Sequence, residues 1–343
     1  DEPSTGLHPT NIEQLVEMLQ RLRDRGNSVL VVEHDPSIVM SADCVVDLGP
    51  GAGAGGGDVL FTGTPAELRS SGTLTGRYLV PNMPERRRRR NRGEWFEIRN
   101  AAVNNLKNIS VRIPVGVLTC VTGVAGSGKS TLIHRVFVPA NPETIVVSQE
   151  PPAASSRSNP ATYTGVFDDI RAEFARAAGV KASLFSFNSE GACPACRGLG
   201  TVAVEMNFMN SVRIRCEECG GRRFRERVLE YRCRGKSIHD VLSMTVDTAL
   251  SFYGGSPIAR RLAMLREVGL EYLELGQPLS TLSGGESQRL KLASELHKSG
   301  NVYVMDEPTR GLHPADVERI MKIVHGLADN GNTIIIVEHN PDV

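Results

Sequence analysis

The fold is decided by Gly123-Val124-Ala125-Gly126-Ser127-Gly128-Lys129-Ser130-Thr131. This run matches G-x-x-x-x-G-K-[ST]. It follows a strand-like stretch (117–122) and leads into LIHRVF (132–137), whose pattern suits a helix. Strand, glycine loop and helix in that order are the setting in which such a loop cradles phosphates. The glycines let backbone N–H groups close around the anion, and the helix N-terminus adds partial positive charge. Lys129 is expected to reach the outer phosphates, and the Ser130 hydroxyl to ligate Mg²⁺. Gly123, Gly126, Ser127, Gly128 and Thr131 complete the expected ATP cradle.

Further along, the strand-like VYVMD (302–306) ends in Asp306-Glu307. An acid at a strand end can hold Mg²⁺, and the adjacent Glu can polarise the attacking water. Gln149 follows TIVVS (144–148), and His339 follows TIIIV (333–337) plus Glu338. Both are expected to read the γ-phosphate, so Glu307, Asp306, His339 and Gln149 form the expected catalytic set. The alternation of strand and helix predicts an α/β fold with helices around a parallel sheet.

The two ends of the chain repeat one another. Residues 1–38 align without a gap on residues 306–343, with 16 of 38 positions identical. The pairs include Asp1/Asp306, Glu2/Glu307, His8/His313 and His34/His339. The chain is therefore expected to hold parts of two homologous domains, with Asp1, Glu2 and His34 serving the nucleotide of the first. Its ends fall inside these repeats, which predicts a fragment truncated at both. In the first copy, 12–25 show helical spacing, 28–32 read as a buried strand, and 43–48 and 58–61 read as short strands around a Gly-rich turn. An Arg-rich run at 86–92 reads as a linker, and strand-like FEIRN and SVRIPVG open a new domain near Trp95.

Cys193-x-x-Cys196 and Cys216-x-x-Cys219 stand 19 residues apart, within the spacing of a structural zinc site. Four thiolates leave no open coordination position, so a Zn²⁺ there is structural. The other thiols, Cys44, Cys120 and Cys233, read as buried apolar residues. Residues 207–236 hold nine basic against four acidic residues, with Phe208 and Phe224 interleaved. In a chain with 39 basic and 39 acidic residues, that local excess is a candidate phosphate-backbone contact. At 343 residues the chain has room for two or three domains. Its apolar runs are about strand length, short of the ~20 residues a membrane helix needs, which excludes a self-contained membrane transporter. Cysteines in metal-type pairs predict a reducing, cytoplasmic setting.

Leu282-Ser283-Gly284-Gly285-Glu286-Ser287-Gln288-Arg289 is similar to the signature of ATP-binding-cassette ATPases. In that family the Ser and the Gly-Gly backbone cap the γ-phosphate across a head-to-tail interface, which implies Ser283, Gly284, Gly285, Glu286 and Gln288 as nucleotide contacts. A Cys₄ module between phosphate loop and signature narrows the resemblance. NLKNISVRIPVGVLTCVTGVAGSGKSTL, SQEP…RSNPATYTGVFDDIR, FSFNSEGACPACRGLG, ARRLAMLREVGLEYLELGQPLSTLSGGESQRLKLASEL and both DEP…GLH…VEH segments resemble the UvrA family, the DNA-damage-sensing subunit of the bacterial excinuclease and its close paralogues.

The resemblance implies two ATPase domains per chain, a homodimer, and ATP-controlled binding to damaged duplex DNA. It also implies hand-over to a helicase-like UvrB-type subunit, a zinc module near the DNA, and no membrane partner. It places 1–84 as the C-terminal part of a first cassette, 85–94 as linker, and 95–343 as a second, truncated cassette with a helical and zinc-binding insert at about 152–250. Only 17 residues separate Thr131 from Gln149, and the usual Asp-Gln-Ser-Pro reads Ser148-Gln149-Glu150-Pro151. Both departures lean toward a UvrA-like paralogue tied to resistance to DNA-binding drugs. Soluble cassette ATPases outside repair remain the other class. With each nucleotide site incomplete, the chain is expected to bind ATP and hydrolyse it poorly alone.

Overall fold

The computed structural model describes residues 1–343 apart from 8, 52, 80–92, 125, 148–156, 207–208, 297–300 and 340–342. Gln149, Phe208, His8 and the Arg-rich run therefore lie outside the described residues. The chain forms two compact units, residues 1–150 with 298–343, and residues 151–297.

The first unit is built on a four-stranded parallel sheet in the order Leu118–Val121, Thr333–Val337, Val302–Asp306, Ile145–Val147. Strands covered on both faces read as continuous apolar runs. Here Ile334, Ile335, Ile336, Val304 and Met305 are fully buried. Parallel strands need a crossover, and the crossovers are the segment after the phosphate loop and the helix Pro314–Asp329. An antiparallel pair, Trp95–Ala101 with Ile109–Pro114, supplies a further layer. Ile98, Ile113, Leu132, Ile133, Phe137, Val304 and Ile335 join these layers in one core. The helix after the phosphate loop (Thr131–Phe137) winds as π-type turns. Its exit is wide: the Val138 amide donates to Ile133, five residues back, just before Pro139, which has no N–H.

The first copy of the repeat lies in the same unit. Helix Pro9–Asp24 matches the helical spacing, and Val45–Gly49 pairs with Asp58–Gly63 as an antiparallel hairpin. Residues 28–32, expected as a buried strand, form none, and Leu30 is 94% exposed. Their counterparts, 333–337, are strand because Val302–Asp306 and Leu118–Val121 flank them. Without a neighbour to complete a ladder, an apolar run has no reason to stay extended and covered.

The end of the first copy docks on the second. Helix Leu74–Tyr78 lies against Pro314–Asp329, where the Tyr78 hydroxyl donates to Glu318. Burial and Glu318 push the Tyr78 hydroxyl pKa up to about 12. Beside it, His313 Nδ1 accepts the Ala315 amide, so Nε2 carries the proton and meets Thr75 Oγ1 at 3.3 Å. Thr75 in turn donates to Asp47 at 2.8 Å. Burial, with His34 nearby, holds the His313 pKa below its ordinary value.

The second unit, 151–297, carries helices Val166–Ala178, Pro257–Glu267 and Gly284–Leu296. Phe167, Phe174, Phe185, Phe187 and Phe224 fill its core. Its hairpin, Thr201–Met206 with Met209–Arg215, connects the two cysteine pairs.

Ile335 and Leu30 occupy equivalent repeat positions in opposite surroundings. In denaturant unfolding, Ile335→Ala should lower stability by about 2–5 kcal/mol. Leu30→Ala should change it by less than about 0.5 kcal/mol. Equal losses would mean that 28–32 is buried after all.

Candidate nucleotide and metal sites

Strand register assembles the nucleotide site. Val121, Val337 and Asp306 are side by side across the sheet. The phosphate loop leaves after the first, Glu338-His339 after the second, and Glu307 after the third. In open α/β sheets the carboxyl ends of the strands form the ligand crevice. Asn104, Asn105, Gly126, Gly128, Lys129, Ser130 and Thr131 line an open cavity there of about 340 Å³. Lys129 Nζ donates to the carbonyls of Gly123 (2.8 Å) and Val124 (3.0 Å). Gly128 has φ +102, and a Cβ there would lie 2.9 Å from Leu106, so the loop needs glycine for both conformation and space.

Asn105 was missed by sequence reasoning. Its Nδ2 donates to the Gly126 carbonyl at 2.7 Å, tying the VNNL turn to the phosphate loop. The available signal was Asn-Asn itself, since Asn tolerates the left-handed backbone that Asn104 adopts at φ +54.

Asp306 is held by a second unforeseen residue. Its Oδ2 lies 3.0 Å from His134 Nε2. Its Oδ1 is buried and has no hydrogen-bond partner among the described residues. An oriented, unpartnered carboxylate oxygen beside the loop fits a hard cation such as Mg²⁺.

Glu307 sits at φ +46, a conformation that non-glycine residues keep when their surroundings over-determine it. Its amide donates to the Val337 carbonyl at 2.8 Å. Its Oε1 is 3.4 Å from His339 Nε2, and its Oε2 is 3.5 Å from Arg310. Glu338 binds the turn from the neighbouring strand, accepting from the Thr309 amide and hydroxyl and from the His339 amide. The first copy repeats this geometry. Glu2 has φ +40, its amide donates to Val32 at 2.9 Å, and His34 Nε2 lies 3.8 Å from Glu2 Oε1. Glu33 accepts from Ser4 and His34 as Glu338 does from Thr309 and His339. The two bracing glutamates were not singled out in the sequence, although each precedes a histidine that was.

The signature residues lie in the second unit, at the start of helix Gly284–Leu296. Ser283 Oγ accepts the Glu286 amide, and Glu286 accepts the Ser283 amide at 2.8 Å, a reciprocal cap. The Tyr272 hydroxyl also donates to Glu286 at 2.6 Å. Glu286 is thus occupied in shaping the helix start.

Cys193, Cys196, Cys216 and Cys219 are buried, with all four Sγ atoms within 4.8 Å of one another. Cys196 and Cys219 are 3.7 Å apart. That is close to the ~3.8 Å edge of a tetrahedron with ~2.3 Å zinc–sulfur bonds. The Gly200 amide donates to Cys196 Sγ at 3.2 Å. The donor set fits zinc. Burial raises the pKa of the Cys193 thiol and pushes Cys219 to about 12.

Two sequence expectations change. Cys44 and Cys120 are exposed, and only Cys233 of the three unpaired cysteines is buried. Cys120 is on the strand Leu118–Val121, at one end of the sheet order. The basic stretch is also less available than its composition implied. Arg222, Arg232 and Arg234 pair with Glu226, Asp240 and Glu173. Arg215 and Arg225 donate to the carbonyls of Gly220 and Ala192, and Arg223 lies over the Phe187 ring. Among the described residues, Arg213, Arg227 and Lys236 make no ion pair.

The ABC transporter family matches residues 195–310. UvrABC system protein A of Bacillus subtilis is 46% identical over the whole chain, and that of Thermus thermophilus 45%. The chain spans about 40% of the length of each. The crystal structure of UvrA2 from Deinococcus radiodurans matches 99% of the chain with a TM-score of 0.91 and 46% identity, over 45% of its own length. Along its whole length the chain belongs to the UvrA family of ATP-binding-cassette proteins.

Proposed function

We propose that the chain is the ATP-hydrolysing, DNA-engaging part of a UvrA-type damage sensor in nucleotide excision repair. The observation that carries this reading is the row Val121, Val337, Asp306, which brings phosphate loop, acid pair and histidine to one sheet edge. Backbone N–H groups from Gly126 to Thr131 receive the ATP phosphates, and Lys129 exchanges its loop carbonyls for phosphate oxygens. Ser130 and Asp306 hold Mg²⁺, which when bound neutralises charge on the phosphates. Glu307 orients the attacking water. His339 and Gln149 read the γ-phosphate. Ser283, Gly284, Gly285 and Gln288 cap the nucleotide of the other cassette. Asp1, Glu2 and His34 play the Asp306, Glu307 and His339 roles there. Catalysis is positioning and electrostatics, without a covalent intermediate.

Residues 1–84 read as the end of the first cassette, 85–94 as linker and 95–343 as the second, with the zinc insert between loop and signature. Cys193, Cys196, Cys216 and Cys219 hold a structural Zn²⁺. The partners are damaged duplex DNA, a second copy of the chain and a helicase-like UvrB-type subunit. No described helix is long and apolar enough to cross a membrane; the cytoplasmic setting rests on the likeness to UvrABC system protein A. A second reading, carried by the 17 residues between Thr131 and Gln149 and by Ser148-Gln149-Glu150-Pro151, is a UvrA-like paralogue acting in resistance to DNA-binding drugs.

The enzymatic reading is tested with nucleotide binding and turnover. Lys129→Ala should abolish ATP binding. In the full-length protein Glu307→Gln should preserve binding and cut turnover by roughly 10²-fold or more. Turnover that survives Glu307→Gln would remove the assigned role.

Duplex DNA with and without a lesion, measured at two salt concentrations with and without ATP, separates the functional readings. ATP-dependent preference for the lesion is the expected result for the repair protein. Salt-sensitive binding without preference supports the paralogue. A folded, zinc-loaded full-length protein that ignores DNA contradicts both.

For zinc, one ion per chain is expected by metal analysis. Chelation should expose four further thiols to a thiol reagent. Cys216→Ser should lose the metal and destabilise the second unit, because zinc binding contributes directly to folding. Unchanged thiol reactivity after chelation would argue against a metal site.

A further inference from the structure

We propose that Arg310 is a positioning residue that sets the Glu307 carboxylate of one copy against the turn of the other. The proposal rests on the ATPase reading above.

Glu307 is gripped at both oxygens, by His339 at 3.4 Å and by Arg310 at 3.5 Å. The Arg310 guanidinium also reaches into the first copy. A Cβ built on Gly6 would fall 3.0 Å from Arg310 Cζ, 3.1 Å from Nη2 and 3.3 Å from Nε. Three nearly equal distances mean that the flat group lies face-on against Gly6. A Cβ there would push the guanidinium away by a few tenths of an ångström, and φ +77 at Gly6 favours glycine on conformational grounds. The contact has a reciprocal partner, since a Cβ on Gly311 would fall 3.1 Å from Glu2 Oε2. Each turn's glycine therefore receives a side chain from the other turn.

The two copies are not equal. Thr5 stands where Arg310 stands, and its hydroxyl meets its own Glu2 at 3.4 Å. Threonine is too short to reach the opposite turn. Glu307 thus has a cationic partner seated on the other copy, whereas Glu2 has a local hydroxyl. Arg310 is 43% exposed against 14% for Glu307. A pair this open adds little to stability. Its consequence is orientation, for which a planar, permanently charged fork is suited. Arg310 makes the placement of Glu307 depend on where the turn around Gly6 sits.

The test uses the full-length protein and the share of ATP turnover that Glu307→Gln removes. Arg310→Thr, which installs the first copy's residue, should lower that kcat roughly ten-fold and leave KM within about two-fold. Arg310→Lys should recover only part, because a point charge cannot lie flat on Gly6. Gly6→Ala should produce a loss similar to Arg310→Thr. The double variant Arg310→Thr/Gly6→Ala should be no slower than Arg310→Thr, since both changes break one contact. Gly6→Asn, which tolerates the left-handed backbone yet carries a Cβ, replaces Gly6→Ala if the latter fails to fold. Unchanged kcat in Arg310→Thr overturns the proposal. So does a loss confined to KM, or losses that multiply in the double variant. Turnover that survives Glu307→Gln would instead defeat the ATPase reading itself.

Discussion

The hydrogen bond from the Glu307 amide to the Val337 carbonyl is the constraint on which the nucleotide site depends. It joins the carboxyl ends of two neighbouring strands one residue beyond their ladder. The chain must reverse there, and Glu307 adopts its left-handed backbone to do so. Glu338 completes the joint by accepting from Thr309 and His339 on either side. A buried carboxylate that accepts several hydrogen bonds is well compensated for its lost hydration. The acid pair and the histidine therefore hold their spacing through the fold's own backbone.

The first copy separates this joint from the sheet. Residues 28–32 form no strand, yet Glu2 still donates to Val32, and Glu33 still braces Ser4 and His34. The turn is thus a local device, specified by DEP, by the Glu before the histidine and by a glycine four residues after Glu2. The strand beside it is a collective property that needs neighbours on the sheet. Local chemistry survives where the ladder does not, because its hydrogen bonds close over a few side chains.

The same distinction explains what could be read from the sequence. The phosphate loop, the acid pair, the cysteine spacing and the signature helix are short patterns whose chemistry is contained in the residues themselves, and each sits in the expected kind of element. The strand at 28–32 was misread because apolar periodicity reports what a segment could bury and not whether a partner is present. The charge count of the basic stretch ignores pairing: Arg222 meets Glu226 within the stretch, and Arg232 and Arg234 meet Asp240 and Glu173 from outside it. Cys120 is exposed, because a strand's apolar pattern does not report whether the face it presents is covered. His134 and Asn105 were invisible for a different reason. Each acts across a gap in sequence, on Asp306 and on Gly126, that only the fold closes.

The phosphate loop is braced on two sides by elements the motif does not contain. The Asn105 amide fixes the Gly126 carbonyl from the antiparallel layer, and Leu106 packs against Gly128. From the helix that follows, His134 holds one oxygen of Asp306, while the other is buried without a hydrogen-bond partner among the described residues. Leu132, Ile133 and Phe137 of that helix are buried in the core between the layers. The helix therefore anchors the loop and at the same time orients the acid at the end of a different strand. Loop and acid are set by one packed body, which is why a site assembled from residues 172 positions apart can hold a fixed geometry.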